Sequence, residues 1–526
     1  MGELLTNLGV GLASVMATHP VEILGMQFMF PMNIFYCFVG ALVGTLIGVL
    51  PGIGPMATIA MLLPATYALS PEAGLIMLAG IYYGAQYGGS TTAILINLPG
   101  EISSVVTTIE GYQMGLRGRG GVALTTAAVG SFFAGCVATV VISAFAPVLA
   151  GVAVSFGSAE YFSLMVLGLI GSVVLASGSL VKAICMTCLG LLGGLVGTDV
   201  NSGVLRYTFD IPELSDGVGF VAVAMGVFGF SEIIKNLALE GQERHSSKVT
   251  TLFPTQEDWK RMILPIVRGT GIGSFLGMLP GGGATLASFG SYIIEKKSGK
   301  HNAEFGQGAI EGVAGPESAN NAAAQTSFIP MLTLGIPSNA VMALMIGAMM
   351  IHDIQPGPQV MTNKPTLFWG LIVSMWFGNL MLVILNLPLI GVWVKLLTVP
   401  YRLLYPAILV FSVVGVYAVN GSVVDVWIMA VMGALGYLLR KFDFETAPIV
   451  LGLVLAPMLE MSLRQSLALS SGSYFVFITR PISATMLGIG VVLLLFSLRP
   501  LLAKGADWRQ KLGLEESSSA GEEEKR

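Results

Sequence analysis

Apolar residues run in long stretches along this chain. Polar residues fall between the stretches or in a few short clusters inside them. Apolar segments at 32–50, 54–69, 72–97, 121–150, 159–176, 180–197 and 217–234 lead into a polar interval, 235–261, holding Lys235, Glu243, Arg244, Lys248, Lys260 and Arg261. A second series runs at 262–279, 283–294, 305–351 with interruptions, 366–396, 403–419, 423–439 and 445–462. One more, 482–498, precedes a Glu/Ser-rich tail. Many of these approach the roughly 20 residues with which a helix crosses a bilayer. The pattern predicts an all-α polytopic membrane protein with roughly 12–14 membrane segments.

The series is written twice. Gly44-Thr-Leu-Ile-Gly48-Val-Leu-Pro51-Gly52-Ile-Gly54 returns as Gly273-Ser-Phe-Leu-Gly277-Met-Leu-Pro280-Gly281-Gly282-Gly283, each followed by Ala and Thr. Proline removes an amide donor and glycine permits a sharp turn, so each copy predicts a broken helix or hairpin tip. Such breaks survive at membrane depth only where protein or a polar cavity surrounds them. Matched breaks in two halves are a pointer to the binding site of a secondary transporter. The duplication continues in Leu98-Pro99-Gly100 against Ile336-Pro337-Ser338, and in the run Gln86–Thr92 against Asn321–Ser327.

The chain then divides as follows. Residues 1–30 form an interfacial helix and turn, 31–240 a first membrane repeat, and 241–261 a cytoplasmic linker. Residues 262–480 form the second repeat, 481–499 an extra transmembrane helix and 500–526 a disordered tail. Basic loops mark the cytoplasm. Loop 66–73 lacks Lys and Arg, while its partner 292–304 carries Lys296, Lys297 and Lys300. After the second motif the bias reverses, with Arg117 and Arg119 in the first half. Equivalent loops take opposite bias, so the repeats are expected to be inverted, although Arg206, Arg464 and Arg480 fall on the other side.

Composition narrows the reading. The 526 residues are 54% hydrophobic and 11% charged, with mean hydropathy +0.79, against about 25% charged in a soluble domain. A net charge of −4 offers nothing to a nucleic acid. The four cysteines lie in apolar runs, and Cys185-Met-Thr-Cys188 has no second pair to complete a zinc site. No His-Glu-x-x-His, Gly-x-Ser-x-Gly or phosphate-binding Gly-x4-Gly-Lys-Ser/Thr string is present. The chain is therefore expected to be no enzyme and to hold no metal cofactor. Transport energy must come from an ion gradient or another subunit.

The candidate chemistry lies at the breaks. Gly44, Gly48, Gly273 and Gly277 suit close helix packing. Gly52, Gly54, Gly281, Gly282 and Gly283 leave free amides at a helix start, where a carboxylate is favoured. Gln86, Ser90, Thr91, Thr92 and Asn97 lie inside one apolar segment, and Asn320, Asn321, Gln325, Thr326, Ser338 and Asn339 inside another. Such groups need partners in hydrocarbon. Interhelical hydrogen bonds would supply them, as would a site. Ser90, Thr91, Asn97, Thr326, Ser338 and Asn339, with the glycine tips, are assigned to substrate. Gln86, Thr92, Asn320, Asn321, Gln325 and Glu317 are assigned to ion coupling, Glu317 being the candidate carboxylate or a mere helix cap. The two elbows are expected to face each other across a polar pocket that accepts an acid anion.

Four strings carry a resemblance: Gly48-Val-Leu-Pro-Gly-Ile-Gly-Pro55, Gly80-Ile-Tyr-Tyr-Gly-Ala-Gln-Tyr-Gly-Gly-Ser-Thr-Thr92, Asn97-Leu-Pro-Gly-Glu101 with Gly111-Tyr112, and Gly315-Pro-Glu-Ser-Ala-Asn-Asn-Ala322. With them the chain, over roughly 30–500, resembles the large membrane subunit of the tripartite tricarboxylate transporter family. The resemblance implies a bacterial inner-membrane permease that works with a periplasmic solute-binding protein and a small four-helix membrane subunit. It further implies carboxylate import, citrate being the namesake, driven by Na⁺ or H⁺. A self-sufficient carboxylate symporter and a non-transporting membrane subunit are the alternatives.

Overall fold

The structure is a computed structural model. It describes residues 2–23, 26–50, 54–97, 99–153, 155–175, 179–199, 202–231, 233–234, 251–279, 283–298, 301–396 and 401–503. The tips Pro51 to Ile53 and Pro280 to Gly282 lie outside these residues, as do 241–250 of the linker and 504–526 of the tail.

The described chain is built almost wholly of helices. It opens with α1 (Gly2–Met16) and an antiparallel hairpin of His19–Ile23 with Met26–Phe30. There follow α2 (Met32–Val49), α3 (Gly54–Thr66), α4 (Pro71–Ile96), α5 (Val105–Met114), α6 (Gly120–Ala153), α7 (Ser158–Leu175), α8 (Leu180–Gly193) and α9 (Phe220–Ala224), the last continued by a π-helical turn, Met225–Phe230. After the linker come α10 (Gln256–Gly277), α11 (Gly283–Ser298), α12 (Glu311–Thr326), α13 (Phe328–Leu334), α14 (Ala340–Ile351) and α15 (Pro365–Asn386). The chain closes with α16 (Tyr401–Asn420), α17 (Val423–Lys441), α18 (Ala447–Leu469) and α19 (Pro481–Ala503).

Among the described residues, 5 helical stretches are long and apolar enough to cross a membrane: Met32–Val49, Val105–Val152, Pro365–Asn386, Val423–Lys441 and Ala447–Leu469. The second of these turns at Gly118, whose φ of 75° is left-handed. Shorter apolar helices fill the space between, so the molecule is an all-α multi-pass membrane protein.

Helix starts follow local chemistry. Ser70 accepts from the Ala73 amide at 3.3 Å and opens α4, and Asn339 accepts from Met342 at 3.0 Å and opens α14. Thr255 and Asp258 form a reciprocal capping box on α10. That box starts α10 at Gln256, within the polar interval that the hydrophobic pattern assigns to the linker.

The glycines of the opening motif set how closely the helices approach. A Cβ on Gly40, Gly44 or Gly48 of α2 would run into the backbone of Met77, Ile81 or Ala85 on α4. In the second half, Gly269, Gly273 and Gly277 of α10 meet Gly315, Ala319 and Ala323 of α12 in the same way. Both interfaces therefore use three glycines four residues apart, pressed backbone to backbone. This shared spacing aligns α4 with α12 three residues away from the pairing of Gln86–Thr92 with Asn321–Ser327. It sets Tyr82 against Asn320, Asn97 against Gly335 and Glu101 against Asn339. Asn97 and Gly335 agree in conformation too, each ending its helix in the left-handed region, with φ of 56° and 73°.

Contacts between the halves are reciprocal. α6 packs on α12 and α10, while α15 packs on α4 and α2. α8 packs on α18, and α17 packs on the turn Met225–Phe230. Glycines again allow the approach, Gly190 against Ile449 and Gly452, Gly226 against Met429 and Gly433. The central core buries Trp369, Tyr83, Phe228, Phe328 and Phe368.

Candidate functional site

Where α4 and α12 cross the middle of the molecule, every residue of both helices from Ala73 to Ile96 and from Glu311 to Thr326 is buried. Their polar side chains must find partners inside the protein. Ser90 Oγ donates to Glu317 Oε2 at 2.6 Å, and Thr107 of α5 donates to Glu317 Oε1. Both oxygens of this carboxylate thus accept a hydroxyl from the other half.

Glu101 is the second carboxylate of the network. Ser103 donates to it at 2.6 Å and also reaches Gln86 Oε1 at 3.1 Å, and Asn320 Nδ2 donates to Glu101 Oε1 at 3.2 Å. The described ion pairs engage Asp199, Asp258, Glu160, Glu295, Glu304, Glu311 and Glu460. Among the described residues, neither Glu101 nor Glu317 has such a basic partner.

The remaining amides bridge helices as well. Asn321 Nδ2 donates to Ser131 Oγ of α6 at 2.6 Å, and Thr139 of α6 donates to Gln325 Oε1 at 2.8 Å. Asn339 Nδ2 donates to Tyr82 OH at 3.4 Å. Several buried atoms keep no protein partner: Asn320 Oδ1, Asn321 Oδ1, Gln325 Nε2, Tyr87 OH, Asn386 Oδ1 and both amide atoms of Asn379. A small cavity adjoins Ser90, lined by Tyr87, Ser90, Thr91, Ser131 and Asn386 with an apolar wall of Leu124, Ala127 and Ala128. It has room for about one water.

The residues singled out from the sequence divide by what they touch. Ser90, Gln86, Glu317, Asn320, Asn321, Gln325 and Asn339 join the network between helices, and Thr91 lines the cavity. Thr92 instead bonds Gly89 of its own helix, Thr326 bonds Ala322 and Gly273, and Ser338 bonds Ser327, each through a backbone carbonyl. Asn97 lies exposed at the end of α4. Gly54 and Gly283 begin α3 and α11 with left-handed φ of 67° and 41°, beside Gly100 and Asn339 respectively. Neither lines the cavity, so the pocket found here is bounded by helices rather than by the described flanks of the elbows. Gly52, Gly281 and Gly282 lie outside the described residues.

Glu101, Thr107, Ser131, Asn379 and Asn386 were not singled out. Asn379 and Asn386 carried a signal of the same kind, an amide within an apolar run. Ser131 and Thr107 carried none, since a Ser or Thr in a helix can bond the carbonyl one turn back on its own backbone.

The family profile of the tripartite tricarboxylate transporter TctA family matches residues 34–451. An uncharacterized 52.8 kDa protein from the TAR-I ttuC' 3' region of Agrobacterium vitis is 56% identical over 508 residues, spanning 96% of this chain and 99% of its own length. An uncharacterized protein of the TAR-II ttuC' 3' region of Agrobacterium vitis is 58% identical over 235 residues, 45% of this chain and 97% of its own. No solved structure matches the chain. The profile runs from α2 into α18, through both glycine-packed helix pairs and the network between them, and so this multi-pass membrane protein belongs to the tripartite tricarboxylate transporter TctA family, a transporter family whose three-part system implies partner subunits.

Proposed function

We propose that this chain is the large permease subunit of a binding-protein-dependent secondary transporter in a bacterial inner membrane. It imports a tricarboxylate- or dicarboxylate-type anion, driven by a Na⁺ or H⁺ gradient. A periplasmic solute-binding protein delivers the anion, and a small four-helix membrane subunit completes the assembly. Family membership supports transport. The observation that carries the coupling is Glu317, buried between the halves and held by hydroxyls with no basic partner among the described residues.

The electrostatics favour symport. Two carboxylates, Glu101 and Glu317, share one buried network, and an anionic substrate brought near them is repelled. A cation or proton taken up at the network removes that repulsion, so that anion and cation bind together. Asn320, Asn321, Gln325 and Asn339 offer amide donors and acceptors, with the glycine tips as further donors. The reciprocal packing of α6 on α12 and α15 on α4 supports two related halves, 31–240 and 262–480, and the opposite charge bias of their equivalent loops supports inverted orientation. One group of helices then moves against the other, because a cavity the size of one water admits no tricarboxylate without such movement.

Reconstitution with both partners tests this reading. Labelled carboxylate should accumulate in proteoliposomes under an imposed cation gradient and stop when an ionophore dissipates it. Uptake that ignores the gradient overturns the proposal, and uptake by this chain alone favours the self-sufficient symporter.

A further inference from the structure

We propose that the cavity beside Ser90 is a binding site for one dehydrated monovalent cation of sodium size, and that Glu317 balances its charge. The proposal rests on the transport reading above and gives its coupling cation a site.

The cavity is lined by five oxygen-bearing residues, Tyr87, Ser90, Thr91, Ser131 and Asn386. Tyr87 OH and Asn386 Oδ1 are buried and have no partner in the protein. The Asn386 amide is oriented by its neighbours: Nδ2 donates to Leu382 O at 2.9 Å and to Thr45 Oγ1 at 3.4 Å, which leaves the oxygen free. Ser131 Oγ accepts from Asn321 at 2.6 Å and keeps its remaining lone pair. Hydroxyl and amide oxygens of this kind suit a hard cation of low charge.

Glu317 is linked to the cavity through Ser90. Each of its oxygens accepts a hydroxyl, from Ser90 and from Thr107. Ser90 Oγ has a second acceptor in Gln86 O at 3.0 Å, and the charge-assisted bond to Glu317 is the one it makes when that carboxyl is ionised. An ionised carboxylate at this depth needs a countercharge, and the described residues supply no basic partner. Ser90 lies between Glu317 and the cavity, so a cation in the cavity is one hydroxyl away from the carboxylate. Glu317 is the carboxylate one hydroxyl from the cavity, and a single monovalent ion there balances its charge.

The test is sodium binding to the purified full-length chain in lipid nanodiscs, with choline as the replacement ion. Radioactive sodium should bind saturably at a single site, and sodium should raise the melting temperature where choline does not. Thr91→Val and Asn386→Leu should each weaken half-saturation by about tenfold or more, while Thr91→Ser, which keeps the oxygen, should bind as the parent does. A cooperative melt in choline shows that each variant is folded. No saturable binding in the parent overturns the site, as does unaltered binding in both folded variants, or equal loss in Thr91→Ser and Thr91→Val. Proton-driven uptake without sodium binding ends this proposal and leaves transport standing. Sodium binding without any carboxylate uptake ends the transport reading and leaves the site standing.

Discussion

Asn320 of α12 donates to Glu101 at 3.2 Å, and at the equivalent places in the other half Asn339 donates to Tyr82 at 3.4 Å. The equivalence follows from the glycine-packed pairs, which set Tyr82 against Asn320 and Glu101 against Asn339. In each case the residue just after a Pro-containing break bonds the central helix of the opposite half. The two bonds are alike in place and unlike in charge, since one ends on a carboxylate and the other on a phenol. Glu317 has no counterpart either, because Ala79 stands at its equivalent position. The two carboxyls of the network therefore come from one residue of each half at non-equivalent positions.

Removing the oxygen at Ser90 should weaken coupling without unfolding the protein. In Ser90→Ala, Glu317 loses a charge-assisted hydrogen bond, a loss of about 1.5–3 kcal/mol. Carboxylate uptake at low cation concentration should fall by about tenfold or more and recover in part at high concentration. Initial rates measured across a cation titration read this directly, and a rate curve identical to the parent's would remove Ser90 from the coupling site.

Packing at the glycine stripes is a stability matter. Gly44→Ala places a Cβ 2.5 Å from the Ile81 carbonyl oxygen, and Gly273→Ala does the same against the Ala319 carbonyl. Each should destabilise by about 1–3 kcal/mol through overpacking. Melting in detergent should show both losses, whereas Gly271→Ala, with nothing within 4 Å, should be neutral.

The start of α10 carries a pH dependence. Burial pushes the Asp258 carboxyl up, but the Thr255 amide and the Arg119 guanidinium outweigh it and hold the group below its ordinary value. A carboxyl depressed in the folded state stabilises the fold at neutral pH, and that contribution is lost as the pH falls through its folded value. Thermal stability should therefore drop below about pH 4, and Asp258→Asn should flatten that drop while lowering stability at pH 7. Thr255→Ala should cost about 1 kcal/mol.

The ion pairs sort the charged loops into two groups. Arg119 pairs with Asp258, and Arg261 with Glu304 and Glu311, which gathers the stretches near 119, 258 and 304 at one end. Asp199, Arg206, Glu460 and Arg464 pair elsewhere. After the four native cysteines are replaced by serine, a single cysteine at Lys297 should be labelled only from the cytoplasmic side of oriented vesicles, and one at its equivalent, the exposed Ala68, only from the outside. Labelling of these two equivalent positions from the same side would contradict inversion of the halves.

Much of this architecture was legible in the chain, for an identifiable reason. Gly44, Gly48, Gly273 and Gly277 recur every fourth residue within apolar runs, and that spacing has a direct physical use at a helix contact. Glu317 was legible as a charge next to the second polar run. The register of the polar runs was not. Gln86–Thr92 and Asn321–Ser327 match in residue type, but the backbone contacts of Met77, Ile81 and Ala85 align them three residues apart. Ser131, Asn379 and Asn386 escaped because their importance depends on which helix of one half touches which helix of the other. That α6 lies on α12 and α15 on α4 is written in no local pattern.

The account depends most on Glu317 as the carboxylate that ties anion movement to the cation gradient. Glu317→Gln keeps the shape and removes the charge. In proteoliposomes holding the complete complex, the parent should accumulate carboxylate against its gradient when a cation gradient is imposed. The variant, folded and assembled, should only exchange carboxylate down its gradient. Accumulation by Glu317→Gln at the parental level, with the same response to the imposed gradient, would contradict the account.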